Sequence, residues 1–170
     1  VLWRAGDAEG APLAYLLHKR GLTEATLRRL RVGYADNRGL ARALFRQGID
    51  PALAARAGVL SSDDKGEFLR GRIVFPVFDA AGDAVYLIGR GTQAWQARTK
   101  YLGLPQTLLR KLPMIAGAPT RGAILVEGPV DFAALVQWGL DASYLLVCSL
   151  GTAHTRALEA IQSLAPAGPV

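Results

Sequence analysis

The stretch that decides the fold is Ala123-Ile-Leu-Val-Glu-Gly-Pro-Val-Asp-Phe-Ala-Ala-Leu-Val-Gln-Trp-Gly139. Its first residues are apolar without alternation, a pattern typical of a short strand that is buried on both faces. Gly128 permits a sharp turn, and Pro129 suits the first position of a helix that ends at Gly139. The stretch therefore predicts a strand followed directly by a helix.

The residues that follow repeat the same order. Tyr144-Leu-Leu-Val-Cys148 is a second apolar run, and residues 152–164 have the spacing of a second helix. A strand, a helix, a strand and a helix in succession predict a right-handed parallel βαβ unit.

Upstream, the pattern predicts mostly helices and then a hairpin. Helices are expected at 11–19, at 38–47, at 51–57 with Asp50 as its cap, and after Thr23, which can cap the next turn. Residues 32–34 favour a short strand. Residues 72–78 and 84–89 are rich in β-branched and aromatic residues, and Asp79-Ala-Ala-Gly-Asp83 has turn chemistry, with Gly82 able to take positive φ. Pro76 favours an edge or bulge position, and residues 91–120 have no regular pattern.

These patterns predict an α/β chain: an α+β N-terminal subdomain at 1–120, followed by a parallel α/β unit at 121–170. The 170 residues, 51% hydrophobic and 20% charged, exclude a disordered chain. A net charge of +6, supplied mostly by Arg, favours a polyanionic partner.

The residue types also exclude several kinds of site. One cysteine and two histidines exclude an internal disulfide and make a Cys/His zinc site implausible. Cys148 lies in an apolar run, which indicates a buried strand thiol rather than a nucleophile. No apolar run approaches the length of a membrane span, and no signal peptide is recognisable. We therefore expect a reducing, cytoplasmic location and no membrane partner.

Two carboxylates stand where ligands bind in such folds. Ligands of open parallel sheets lie beyond the carboxyl ends of the strands. Glu127 ends the first parallel strand and Asp131 falls in the first turn of the next helix, so both can face one pocket. Hard oxygen ligands of this kind suit Mg²⁺. The spacing alone equally allows Glu127 to cap the helix and Asp131 to be a first-turn anion that the helix dipole favours.

The motif Glu-Gly-Pro-Val-Asp at 127–131 resembles the Glu-Gly-x-x-Asp motif of Toprim domains, which occur in primases, topoisomerases and some nucleases. Further segments are similar, in the same order, to those of DnaG-type primases. They are Tyr15-Leu-x-x-Lys/Arg-Gly-Leu22, Val32-Gly-Tyr34, Arg70-Gly-Arg-Ile-Val-Phe-Pro76, Ile88-Gly-Arg90, Lys100-Tyr-Leu102 with Pro105 and Thr107, and Ser149-Leu-Gly-Thr-Ala153.

The resemblance implies roles for individual residues. Glu127 and Asp131 would be the catalytic carboxylates that bind Mg²⁺ or Mn²⁺. A basic groove for nucleic acid and nucleotide would contain Arg70, Arg72, Arg90, Lys100, Tyr101 and Lys111. Without the resemblance, Arg70 and Arg72 would be charges on an exposed strand edge, and Arg90 and Lys100 would belong to a solvated loop. Trp95 could stack on a base or form an apolar lid, and His154 belongs to a helix start.

The expected function is that of a DNA primase, which synthesises RNA primers on single-stranded DNA from ribonucleoside triphosphates, with a replicative helicase as partner. The chain departs from the family pattern in three respects. A later Asp-x-Asp and the Cys/His zinc-binding module are missing, and Gly103-Leu104 replaces Asn-Ser. We therefore expect a piece of a longer protein that is inactive alone, with poor metal affinity and weak, salt-sensitive binding of single strands. The alternatives are a Toprim nuclease and a non-catalytic fragment that binds single-stranded nucleic acid.

Overall fold

The computed structural model describes residues 11–37, 39–61, 66–105, 111–151 and 154–164, without the side chains of Ala94 and Trp95. These residues form two β-sheets with helices packed around them. The predicted roles of Trp95, Thr107 and Thr152, and the predicted helix start at Arg38, lie outside the described part of the chain.

The N-terminal helices follow the predicted order. They are α1 (Pro12–Ala14), α2 (Glu24–Arg29), α3 (Leu40–Arg46) and α4 (Pro51–Arg56). Both predicted caps are confirmed, because Thr23 Oγ1 accepts a hydrogen bond from Thr26 N at 3.3 Å and Asp50 Oδ1 accepts one from Ala52 N at 2.8 Å. The first helix differs from expectation in its winding, since α1 runs directly into a π-helical turn over Tyr15–Lys19.

The first sheet is antiparallel and contains the predicted hairpin. Its strands are β1 (Gly33–Tyr34), β2 (Arg72–Phe78), β3 (Ala84–Gly91) and β4 (Tyr101–Gly103), in the order β1-β2-β3-β4. Gly82 takes a φ of 84° in the turn between β2 and β3, as predicted. Pro76 lies beyond the two residues of β2 that β1 covers, and a register shift follows at Val77. Pro76 therefore occupies a locally unpaired edge of its strand, where it blocks no ladder bond.

The prediction of an irregular segment at 91–120 was wrong in part. A 3₁₀-helix spans Ala94–Thr99, β4 follows at once, and β5 (Met114–Ala116) pairs with the second sheet. Three-residue strands are too short to show an alternating pattern, so only their pairing with longer strands defines them.

The second sheet contains the predicted parallel unit. Its strands are β5, β6 (Ala123–Val126) and β7 (Leu145–Cys148), in the order β5-β7-β6. β6 and β7 are parallel, α5 (Pro129–Gln137) connects them, and α6 (His154–Leu164) follows β7. The expectation that both strands are buried on both faces holds for β7 only. β6 is one of the two outer strands of this sheet among the described residues, and its Leu125 is 42% exposed.

Both sheets contribute to one large apolar cluster, in which Phe75 of β2 and Phe132 of α5 are among the largest buried side chains, and a smaller cluster lies between β7 and α6. The N-terminal helices are also fastened to α5 and to the 3₁₀ turn Leu140–Ala142 that follows it. Gln137 accepts a hydrogen bond from Thr23 N at 2.6 Å and donates one to Gly21 O at 2.8 Å, and Arg29 pairs with Asp141. The division at residue 120 stays a prediction, although β5 precedes it and pairs with β7. None of the helices in the described segments has the length and apolar character that crossing a bilayer requires.

Candidate nucleotide and metal site

A cavity of about 280 Å³ lies where the first sheet meets the start of α5. Five of the predicted site residues line it together: Glu127, Asp131, Arg90, Lys100 and Tyr101. The remaining lining residues are Arg20, Ile88, Gly128, Pro129, Val130, Leu150 and Gly151. The cavity therefore combines two carboxylates with three basic side chains.

The acidic pair comes from the turn between β6 and α5. Glu127 follows β6, and its backbone oxygen accepts a hydrogen bond from Cys148 Sγ at 3.4 Å. Asp131 lies in the first turn of α5, as predicted. A Cβ at Gly128 would lie 2.8 Å from Asp131 Oδ2 and 3.6 Å from Tyr101 Oη. The absence of a side chain at Gly128 thus lets the Asp131 carboxylate lie against the backbone of the turn.

The acidic pair fits a hard divalent ion that a ligand helps to hold. No group of three or more His, Cys, Asp or Glu side chains that could hold a metal occurs in the described segments. Mg²⁺ usually takes only one or two protein carboxylates and completes its octahedron with phosphate oxygens and water. Two carboxylates that open on a basic cavity match that donor set.

Arg90 is held by two tyrosines. Its Nη1 donates to Tyr101 Oη at 2.7 Å, its Nε donates to Tyr15 Oη at 2.8 Å, and its Nη2 also donates to Tyr15. The guanidinium carbon lies 5.0 Å from the Tyr101 ring centroid and 5.3 Å from that of Tyr15, within the range of cation–π attraction. Arg90 is 5% exposed and belongs to β3, so the alternative of a solvated loop was wrong for this residue.

Tyr101 remains a neutral hydroxyl at the floor of the site. Burial raises the pKa of Tyr101, and Asp131 raises it further, whereas the neighbouring Arg90 opposes both effects. A neutral phenol can accept from Arg90 and still donate its proton to a ligand oxygen. Lys100, which precedes Tyr101, is exposed at the cavity wall.

Arg72 and Arg70 do not line this cavity. Arg72 is 6% exposed, and its Nη1 donates to Thr99 O at 2.7 Å. Burial lowers the pKa of Arg72, and its side chain occupies the space beside Gly89, where a Cβ would come within 2.8 Å of it. Arg72 is therefore buried rather than on an exposed edge, and it fixes the residue that precedes Lys100. Arg70 is exposed just before β2.

Lys111 lies at the end of β7. Its Nζ donates to Leu150 O at 2.7 Å, and burial lowers the pKa of Lys111. Leu150 itself lines the cavity with a φ of 54°, so Lys111 supports the cavity wall from behind. Burial also raises the pKa of the Cys148 thiol to about 12, which agrees with the prediction of a buried strand thiol.

Two residues of the site, Tyr15 and Arg20, were missed as site residues. Arg20 lines the cavity, and its Nε donates to Tyr15 Oη at 2.6 Å. Both belong to the segment Tyr15–Leu22, whose similarity to the primases was visible in the sequence. The sequence of that segment does not indicate that Tyr15 contacts Arg90, which lies 75 residues further along the chain.

The comparisons with known proteins bear on the whole described fold. Residues 5–111 match the family model described as DNA primase catalytic core, N-terminal domain. The chain belongs to the DnaG-type DNA primase family. The α/β fold expected from the sequence is confirmed by its structural relatives.

Curated DNA primases resemble this primase chain over most of its length. That of Synechococcus elongatus is 33% identical over 162 residues, which are 86% of this chain and 23% of the relative. That of Chlamydia muridarum is 30% identical over 157 residues, which are 86% of this chain and 25% of the relative. The chain thus spans about a quarter of the length of the curated relatives it matches.

Solved primase structures share the fold. A structure of the DnaG catalytic core is 26% identical with a TM-score of 0.70, and the match covers 95% of this chain and 55% of that one. The E. coli primase catalytic core is 27% identical with a TM-score of 0.69, covering 90% and 52%. A DnaG primase catalytic domain bound to ssDNA is 26% identical with a TM-score of 0.70, covering 95% and 54%.

Proposed function

We propose that the intact protein is a DNA primase that synthesises RNA primers on single-stranded DNA by metal-dependent nucleotidyl transfer, for DNA replication. The observation that carries this proposal is the cavity in which Glu127 and Asp131 face Arg90, Lys100 and Tyr101. Family membership supports the class of enzyme, and a similar catalytic domain is described as bound to ssDNA.

In this proposal Glu127 and Asp131 hold Mg²⁺ or Mn²⁺, and residues 121–170 begin a Toprim fold. The ion, when bound, stabilises charge on the phosphates and favours ionisation of the primer 3′-hydroxyl. The acidic pair needs no side-chain nucleophile beside it, which agrees with the inert Cys148 thiol.

The basic side chains bind and orient the substrates. Arg90 presents a fork of donors that suits phosphate oxygens, and the two tyrosines prevent it from turning away. Tyr101 adds a neutral donor, and Lys100 adds a mobile point charge at the wall. Arg70 is proposed to contact nucleic acid from outside the cavity, and Lys111 is proposed to act on the bound substrates indirectly, by holding Leu150 in the cavity wall. A replicative helicase remains a proposed partner on the strength of family resemblance alone.

Primer synthesis by the intact protein tests the proposal. Ribonucleotide incorporation on a single-stranded template should fall about 100-fold in Glu127→Gln and in Asp131→Asn, because each substitution removes one charged oxygen ligand. Glu24→Gln is the matched control, since Glu24 forms an exposed ion pair with Arg28 and does not line the cavity. Strand cleavage without incorporation would instead indicate a Toprim nuclease, and binding without either reaction would indicate a non-catalytic module.

A further inference from the structure

One phenol oxygen is shared by two guanidinium groups. Tyr15 Oη accepts from Arg20 Nε at 2.6 Å and from Arg90 Nε at 2.8 Å. The guanidinium carbons of Arg20 and Arg90 lie 5.2 Å and 5.3 Å from the centroid of the Tyr15 ring. A single hydroxyl group thus contacts both guanidinium groups.

No carboxylate neutralises the pair within the described part of the chain. Arg28 pairs with Glu24 and Arg29 with Asp141, and neither pair involves Arg20 or Arg90. Arg20, Arg90 and Lys100 line the same cavity without a carboxylate within 4 Å. Arg90 is buried and Arg20 is exposed, and two cations held on the same oxygen repel each other unless an anion lies between them. The arrangement therefore favours an anionic ligand.

The local backbone explains how Tyr15 and Arg20 come together. Residues five apart lie on different faces of an α-helix, but the π-helical turn at Tyr15–Lys19 bonds each residue to the fifth one along. This winding places Arg20 almost above Tyr15, so that its Nε reaches the phenol oxygen. Single π-helical turns are frequent at functional sites because they carry a cost in helix geometry.

We propose that Tyr15 is a positioning residue that aligns Arg20 and Arg90 as a pair for the polyphosphate chain of the incoming nucleotide. The proposal rests on the proposed function and adds Arg20 to the residues that contact substrate. Guanidinium forks match phosphate oxygens bidentately. The carboxylates of Glu127 and Asp131 in the same cavity would repel a bare phosphodiester, whereas a metal–triphosphate complex satisfies both the acidic and the basic wall.

The test uses the intact protein with Tyr15→Phe, Arg20→Gln and Arg20→Lys. The control is Tyr144→Phe, which alters a half-buried tyrosine that does not line the cavity. Three quantities are measured: KM and kcat for a ribonucleotide in primer synthesis, Kd for inorganic triphosphate with Mg²⁺, and Kd for a single-stranded DNA oligonucleotide. The thermal midpoint of each variant reports whether the fold is intact.

We expect Tyr15→Phe and Arg20→Gln each to raise KM and the triphosphate Kd about tenfold, because a charge-assisted hydrogen bond is lost or misaligned. The value of kcat should change less than about threefold, since the uniform binding of substrate is affected rather than the transition state alone. Arg20→Lys should fall between Arg20→Gln and the wild type, because it keeps the charge and loses the fork.

The proposal is overturned if KM and the triphosphate Kd of both variants stay within twofold of the wild type. It is also overturned if the variants weaken only the DNA oligonucleotide, which would assign the pair to the template, or if they lower only the thermal midpoint. The binding arm needs no activity. If the wild type makes no primers but its triphosphate Kd rises in Arg20→Gln, the proposed function is refuted, whereas the assignment of Arg20 and Arg90 to anion binding holds.

Discussion

Arg90 and Tyr101 face each other as register partners on β3 and β4, and Arg90 Nη1 donates to Tyr101 Oη at 2.7 Å. This cross-strand bond joins the middle of the first sheet to the residue that follows Lys100. Because β4 has only three residues, the side-chain bond adds to the few backbone bonds that hold it. The short strand and the cavity wall thus depend on the same contact.

Arg90 and Tyr101 should be energetically coupled. In a double-mutant cycle with Arg90→Met and Tyr101→Phe, we expect a coupling free energy of about 1 kcal/mol in urea unfolding, because the bond is partly buried and involves a charge. The control cycle pairs Arg90→Met with Tyr144→Phe and should give a coupling below about 0.3 kcal/mol. Equal coupling in both cycles would mean that the Arg90–Tyr101 bond has no energetic role of its own.

Arg72 should contribute to the stability of the fold more than to the positive charge of the basic groove. Arg72→Met should lower the free energy of unfolding by about 2 kcal/mol, because Thr99 O loses its charged donor at a partly buried position and the buried stem of Arg72 loses its packing. Arg98→Met, at an exposed position of the neighbouring 3₁₀-helix, should change it by less than about 0.5 kcal/mol. Urea denaturation of the two variants measures both values, and similar losses would contradict a structural role that is specific to Arg72.

Gly128→Ala should move the Asp131 carboxylate. The new methyl group would lie 2.8 Å from Oδ2, and the side chain must rotate away because the φ of −107° at Gly128 imposes no backbone strain. We expect the Mg²⁺ concentration for half-maximal primer synthesis by the intact protein to rise about tenfold, while stability changes by less than about 1 kcal/mol. Gly33→Ala, where no atom lies within 4 Å of the added methyl, should leave the Mg²⁺ requirement unchanged.

Cys148 should make the protein less stable at alkaline pH. Burial raises the pKa of the Cys148 thiol from 9.0 to about 12, so the unfolded chain ionises first as the pH rises. The contribution of the protonated thiol to the free energy of unfolding is complete below about pH 9 and is lost progressively toward pH 12, with about 1.4 kcal/mol lost by pH 10.

The matched variant is Cys148→Ala, which removes the titrating thiol but leaves Tyr86 and Tyr101, whose pKa values burial also raises. The difference between the two unfolding free energies, measured by urea denaturation from pH 8 to pH 10.5, isolates the thiol. A constant difference over that range would show that Cys148 ionises equally in the folded and unfolded chains.

The elements that sequence predicted well have long or chemically marked patterns. The β2–β3 hairpin has two runs of β-branched and aromatic residues around an Asp-rich turn, and the β6–α5–β7 unit has apolar runs around Gly128 and Pro129. The short strands β4 and β5 escaped prediction because their three residues are defined by their partners. The burial of β6 was misjudged because its place at the outside of the sheet depends on strand order, which a local run of apolar residues does not encode.

The residues of the candidate site likewise differ in how well the sequence predicted them. Glu127 and Asp131 were predictable because both flank one turn, and Arg90, Lys100 and Tyr101 because their motifs resemble those of a known family. Tyr15 and Arg20 could not be placed, since a contact between Tyr15 and Arg90 depends on how a helical segment docks on a sheet. Arg72 and Lys111 have the residue type expected for a basic groove, but their charge is directed to backbone oxygens.

The docking of the N-terminal helices also constrains the order in which the cavity can form during synthesis. The residues that fasten them lie far ahead, since Thr23 meets Gln137 over 114 positions and Arg29 meets Asp141 over 112. A chain that emerges from the ribosome N-terminus first can bond Tyr15 to Arg90 early, but it lacks the contacts of Thr23 and Arg29 until Gln137 and Asp141 have been made. Contacts between residues so far apart in the sequence form late and slowly. The charged pocket is thus completed only after the residues up to Gly151, the last that lines it, have left the ribosome, and shorter nascent chains present no assembled anion site.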